Sequence, residues 1–197
     1  MNRILSLAAM ATLVLTTPAQ ASDANDATMA LETAAATLAP NRFVWSDASL
    51  VDPVMSPVTV VVSIPLQRAF VYRGDTLVAA SSVSTGKDEN PTPVGIYPIL
   101  QKNEKHRSNL YNDAPMPFMQ RLTWDGIALH AGRNPGFPDS HGCIRLPTEF
   151  AKKLFAITDV GTTVVITDDF VEGSTLDRNM LVTEVMRANA EQLAVLP

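Results

Sequence analysis

The run Val58-Thr59-Val60-Val61-Val62-Ser63-Ile64 commits this part of the chain to a sheet. β-Branched side chains lose χ1 freedom in a helix but pack well on a pleated surface. The even positions are all apolar, as a strand with a buried face requires. Ala69-Phe70-Val71-Tyr72 follows, then the turn signal Arg73-Gly74-Asp75, and an extended pattern resumes over 77–83, so a hairpin is predicted. Residues 94–100 predict another strand, and 118–124 with 126–130 a further pair around the Asp125-Gly126 turn. The polar stretch 101–113, which holds His106, reads as a mobile connection. Pro147, tolerated in a first helical turn, opens a predicted helix over 148–157, and a strand over 162–167 comes next. Residues 176–193 predict an amphipathic helix with Leu181, Val185 and Ala188 on one face. The expected fold is mostly β, with one or two helices.

The first residues read as a secretory signal. Asn2-Arg3 gives a positive start, an apolar stretch runs from Ile4 to Leu15, and Ala19-Gln20-Ala21 suits small-x-small cleavage before Ser22. An uncleaved anchor is the weaker alternative, because about 18 apolar residues are needed to span a bilayer. The expected organisation is therefore a signal peptide (1–21), an Ala-rich arm or linker (22–57) with a short helix over 29–38, one domain (58–168) and a C-terminal helical tail (169–197). A formal charge of −5 without a basic run argues against nucleic acid as partner.

The chain has one cysteine, Cys143, in Ser140-His141-Gly142-Cys143-Ile144-Arg145. An exported chain meets an oxidising compartment where structural cysteines pair, so a single one is suited to chemistry. Thiols attack carbonyls as thiolates, and a nearby imidazole can take the proton and return it to a leaving amine. His141 adjoins the cysteine and His130 ends the apolar run Ile127-Ala128-Leu129; spacing alone does not say which is the base. Gly142 lets the backbone turn closely beside a substrate, where N–H groups stabilise an oxyanion.

Ser-His-Gly-Cys followed by an apolar residue and Arg, with the upstream Ile-Ala-Leu-His, resembles the signature of the L,D-transpeptidases, the YkuD-type catalytic domain. The resemblance extends over 58–168: Val60 to Ser63 with Gln67 to Tyr72, Val83-Ser84-Thr85-Gly86-Lys87, Thr92-Pro93-Val94-Gly95 and Met116-Pro117-Phe118-Met119 resemble further family segments. It implies a YkuD-like β-sandwich catalytic domain that needs no metal or organic cofactor. It also implies Cys143 as nucleophile, His130 as proton donor and acceptor, His141 with Gly142 at the oxyanion site, and Arg145 on a substrate carboxylate. Ser140, Met116 and Phe118 would contact substrate, and Lys87 would lie near the cleft. Two departures stand out. Only nine residues separate His130 from Ser140, fewer than is usual, so the lid Asn134-Pro135-Gly136-Phe137-Pro138 should be short and stiff. Ala131 follows the base where many members have a polar residue, which leaves only its backbone carbonyl to orient the imidazole.

The implied activity is an exported cysteine transpeptidase of a Gram-negative-type periplasm. It would act on peptidoglycan stem tetrapeptides through a thioester, forming 3→3 crosslinks or joining an amine of an outer-membrane or wall-anchored protein. Water as acceptor would make it an L,D-carboxypeptidase, and an inert cysteine would leave a wall-binding module. Other readings are a small buried Cys143, a zinc site from His106, His130, His141 and Cys143, and Arg145 as a surface ion-pair partner.

Overall fold

The computed structural model describes residues 19–46, 56–109, 112–171 and 175–182. Strands β1 (Phe43–Trp45), β2 (Val58–Ser63), β3 (Arg68–Arg73), β4 (Thr76–Ser82), β5 (Gly95–Pro98) and β10 (Thr163–Thr167) make a six-stranded sheet in the order β1-β4-β3-β2-β10-β5. Strands β6 (Gln101–Arg107), β7 (Pro115–Arg121), β8 (Ala128–Ala131) and β9 (Ile144–Leu146) make a four-stranded sheet in chain order. Helix α1 (Ala19–Ala36) precedes β1, and α2 (Thr148–Ile157) joins β9 to β10. The architecture is mostly β with two helices, as the strand patterns require.

Both faces of the six-stranded sheet are covered, which is why Val60, Val61 and Val62 of β2 are all fully buried although they point to alternate faces. Val60 and Val62 join the main core with Val71, Leu129, Ile144, Phe150, Leu154 and Val164. Val61 belongs to a second cluster with Phe70, Leu77 and Val165, covered by Leu31 and Ala35 of α1 and by Val171 and Leu176. A strand buried on two faces loses the alternation of a half-buried one.

Three expectations are corrected. The polar stretch after residue 100 is no mobile connection: β6 pairs along β7, from Gln101 opposite Arg121 to Arg107 opposite Pro115. Its polarity suits an edge strand, where charged side chains deter pairing with other chains. Lys102 of β6 also caps α2, its Nζ donating to the carbonyls of Phe155 (2.7 Å) and Thr158, a favourable place for a cation. The helix expected over 29–38 instead spans Ala19–Ala36, and Phe43–Trp45 adds an unforeseen strand, with Phe43 opposite Ser81 of β4. The amphipathic helix expected from 176 is, within the described residues, one 3₁₀ turn (Arg178–Leu181) followed by extended Val182. Asp75 holds that turn through two bonds from Arg178 of 2.9 and 2.7 Å. The rest of that expectation (183–193) and the signal residues 1–18 lie outside the described residues.

Candidate active site

Strands β8 and β9 run parallel, with Leu129 opposite Ile144, His130 opposite Arg145 and Ala131 opposite Leu146. Parallel neighbours need a crossover of about a dozen residues or more. Here that crossover is residues 132–143, which carries both the lid segment 134–138 and the loop that ends in Cys143. Strand pairing therefore brings a histidine and a cysteine thirteen positions apart to one place. Along β8 the pleat sends Leu129 and Ala131 into the main core, while Ala128 on the other face clusters with Met116, Met119 and Cys143. His130 shares Ala128's face.

His130 is buried, and its Nδ1 is 2.8 Å from the carbonyl of Ala131. A carbonyl only accepts, so Nδ1 carries the proton and Nε2 is left as the basic nitrogen. This is the backbone orientation anticipated from the apolar Ala131. Burial pushes the imidazolium pKa down to about 4; Arg145 and His106 add repulsion, and the Ala131 carbonyl works the other way. Cys143 is partly buried beside Met116, Met119 and Ala128, and its thiol donates to the Gly126 carbonyl at 3.3 Å. Burial raises its pKa, while a backbone hydrogen bond from Ala128 and the charges of Arg145 and Arg121 pull it partly back. The resting pair at neutral pH is a neutral thiol and a neutral imidazole.

Buried polar groups hold the loop around the thiol. Ser140 Oγ donates to the Cys143 carbonyl and accepts the Gly142 N–H at 3.1 Å. Thr92 Oγ1 donates to the Gly142 carbonyl and accepts the Gly86 N–H, each at 2.8 Å. Gln67 brackets Thr85, its Nε2 donating to Thr85 Oγ1 (2.7 Å) and its Oε1 accepting the Thr85 N–H (3.0 Å). The Thr85 carbonyl then accepts the N–H groups of Asp139 and Ser140. Gly142 has φ +106°, and a Cβ there would come within 2.8 Å of Ile127 Cδ1, so the turn requires glycine.

A cavity of about 1030 Å³ is lined by His130, Ser140, His141, Cys143, Arg145 and Met116, among others. Not every expected residue plays the part foreseen. Ser140 lies at the cavity but its hydroxyl is spent on the loop, where it holds the backbone of Gly142 and Cys143. The Gly142 N–H is likewise held by Ser140, whereas the Cys143 N–H makes no hydrogen bond among the described residues. Phe118 has φ +56°, packs against Phe155 at 5.9 Å and does not line the cavity; Met119 joins Met116 and Cys143 instead. Arg145 pairs with Asp139 at 3.2 Å, an acid it shares with Arg133, and still lines the cavity. Lys87 pairs with Glu89 at 3.6 Å and lies outside the lining. His106 lies in β6 opposite Met116, beside a smaller cavity of about 300 Å³ lined by Trp124, Arg121 and Gly126. Among the described residues, no three His, Cys, Asp or Glu side chains gather as a metal site.

Comparison with known proteins agrees with this geometry. Residues 57–166, more than half of the chain, match the model of the L,D-transpeptidase catalytic domain, YkuD. The chain belongs to that family. A solved L,D-transpeptidase from Stackebrandtia nassauensis is 28% identical with a TM-score of 0.52, covering 60% of this chain and 57% of that one. One from Mycobacterium tuberculosis is 24% identical with a TM-score of 0.54, covering 57% and 58%, and shows likeness of fold. A third, solved in complex with imipenem, is 23% identical with a TM-score of 0.53, covering 57% and 59%. The chain thus spans under three fifths of the length of these structures. No curated protein sequence matches it.

Proposed function

We propose that the chain is an exported cysteine L,D-transpeptidase acting on peptidoglycan stem tetrapeptides in a Gram-negative-type periplasm. The observation that carries the reading is the β8–β9 pairing, which sets His130, with its tautomer fixed on Ala131, opposite Arg145 and beside Cys143 at one cavity. His130 Nε2 takes the thiol proton as Sγ attacks the carbonyl at the L-centre of the third stem residue. The Cys143 N–H, left unengaged in the loop, receives the oxyanion. Collapse of the tetrahedral intermediate breaks the amide bond, and the departing D-Ala amine takes the proton from His130. The acyl group remains on Cys143 as a thioester. An acceptor amine, losing its proton to His130, then attacks and restores the thiol. With a neighbouring stem as acceptor the product is a 3→3 crosslink.

Because thiol and imidazole are both neutral at rest, the proton moves during attack and no standing thiolate–imidazolium pair is needed. The test is mass spectrometry of the protein with a tetrapeptide fragment, with and without an acceptor amine. Expected are loss of one D-Ala, an acyl adduct on Cys143, and a joined product when amine is present. Tripeptide alone under both conditions would mean that water is the acceptor. No adduct with either the tetrapeptide or a carbapenem would leave a wall-binding module.

A further inference from the structure

We infer that Arg42, on the arm before the family domain, is a donor-binding residue that anchors a second stem-peptide carboxylate, separate from the one Arg145 takes. This rests on the reading of the site just proposed. The family match begins at residue 57, yet Asn41, Arg42 and Phe43 line the same cavity as His130, Cys143 and Arg145. One wall of the cavity is thus supplied by a segment outside the matched domain.

That wall is held in place. The Arg42 N–H donates to Ser82 Oγ at 3.2 Å, and the Arg42 carbonyl accepts from the Ser82 N–H at 3.0 Å and its hydroxyl at 3.1 Å. The same Ser82 oxygen accepts from Asn134 Nδ2 of the lid at 3.0 Å. Arm, sheet and lid therefore meet on one saturated hydroxyl. The next residue, Phe43, packs at 5.6 Å against Phe150 of α2, the rings tilted by 55°. On the other side, Pro40 lies so close to the lid that a Cβ on Gly136 would be 2.5 Å from Pro40 Cγ.

The side chain on this fixed backbone makes no hydrogen bond or ion pair among the described residues. Arg133 and Arg145 share Asp139, whereas the exposed Arg42 has no ion-pair partner among the described residues. Arg42, Arg133 and Arg145 line the cavity, with Glu149 in the lining and Asp139 paired to Arg133 and Arg145 as the carboxylates beside them, so the arginines remain in excess in a chain of formal charge −5. A cationic recess on an acidic chain selects an anionic ligand, and guanidinium forks match carboxylates. A stem tetrapeptide carries more than one carboxylate, so one arginine would not engage them all.

The experiment is steady-state kinetics with the free tetrapeptide and with versions in which each carboxylate is separately amidated. Arg42→Gln should raise KM for the free donor roughly tenfold, discounted for exposure, with kcat retained. Arg42→Lys should fall between the two. Alkylation of Cys143 by iodoacetamide should be unaffected, which also reports that the variants fold. For one amidated donor the wild type and Arg42→Gln should become indistinguishable, because the contact is already gone. A wild-type KM in Arg42→Gln, or a difference that persists with every amidated donor, overturns the inference alone. A wild type that does not process the tetrapeptide overturns the transpeptidase reading, and the inference falls with it.

Discussion

Val61 and His130 both lie within strands and are both buried, but in different sheets and under different rules. Val61 sits in a sheet covered on both faces by hydrocarbon, where any residue of similar shape would do. His130 sits in a four-stranded sheet whose edge strand β6 is largely exposed and whose parallel pair, β8 and β9, is joined by a loop that carries buried hydrogen bonds. The first sheet supplies stability. The second holds an imidazole away from water and a glycine at positive φ in its β8–β9 loop, with His130 and Cys143 both at one cavity. Changes in the second sheet should therefore alter chemistry more than folding, and changes in the first the reverse.

The largest expected effect is at the nucleophile. Cys143→Ser alters one atom and offers a far less acidic group, so acyl-enzyme formation should drop by several orders of magnitude while the melting temperature stays near wild type. Adduct mass spectrometry and calorimetry on the same sample check both halves. Near-normal turnover would remove Cys143 from the mechanism.

His130→Gln comes next. General acid–base catalysis is typically worth about 10²–10⁴-fold, and that is the loss expected in donor turnover. Alkylation of the thiol should be slow at neutral pH and recover as pH rises, because hydroxide replaces the lost base. A His141 variant, on the loop, should lose turnover through misplaced backbone donors and recover less. Equal recovery in both would show that the two histidines do not divide the work.

In the six-stranded sheet, Ile166→Ala empties fully buried space in β10 and should cost about 2–5 kcal/mol of stability. Denaturant titration measures it. Below the transition, the thiol's rate with a small alkylating agent should match wild type. A changed thiol rate would mean that the two sheets are not separable in the way argued here.

The same division governs what could be read from the sequence. The strands of the buried sheet announce themselves, since β2 and β10 are rich in β-branched residues around an apolar centre, Val60-Val61-Val62 and Val164-Val165-Ile166. The candidate site was also legible, because His130, Cys143 and Arg145 sit in a short local spelling and line one cavity in the structure. Strand β6 was not: an exposed edge strand has no buried face to impose a pattern, and its hydrogen bonds to β7 leave no mark on residue type. The loop-holding roles of Gln67, Thr85 and Thr92 were equally hidden, since they depend on which carbonyls come near in space. The loop bonds that engage the Ser140 hydroxyl and the position of Phe118 outside the cavity lining are hidden too, because neither a hydroxyl's partner nor a positive φ can be read from residue names. Arg42 was passed over because nothing local shows that the arm folds back along β4.

The smallest effect considered is also the most diagnostic of the cost carried by the reactive sheet. A histidine whose folded pKa is about 4 and whose unfolded pKa is about 6.5 stays neutral in the native state while the unfolded chain binds a proton. Between those values the unfolded state holds more protons, so stability rises with pH and is lost as pH falls from about 6.5 to about 4. The full excursion is at most roughly 3.5 kcal/mol, at about 1.4 kcal/mol per pKa unit. Carboxylates titrate over part of the same range, but they do so in wild type and His130→Gln alike and largely cancel in the difference. Gln cannot charge, so the stability of His130→Gln relative to wild type should increase on going from pH 7 to pH 4. Denaturant titrations of both proteins at several pH values give that difference directly. A pH-independent difference would mean that His130 meets water in the native state, and that the contrast between a dry sheet for stability and a costly one for chemistry is drawn too sharply.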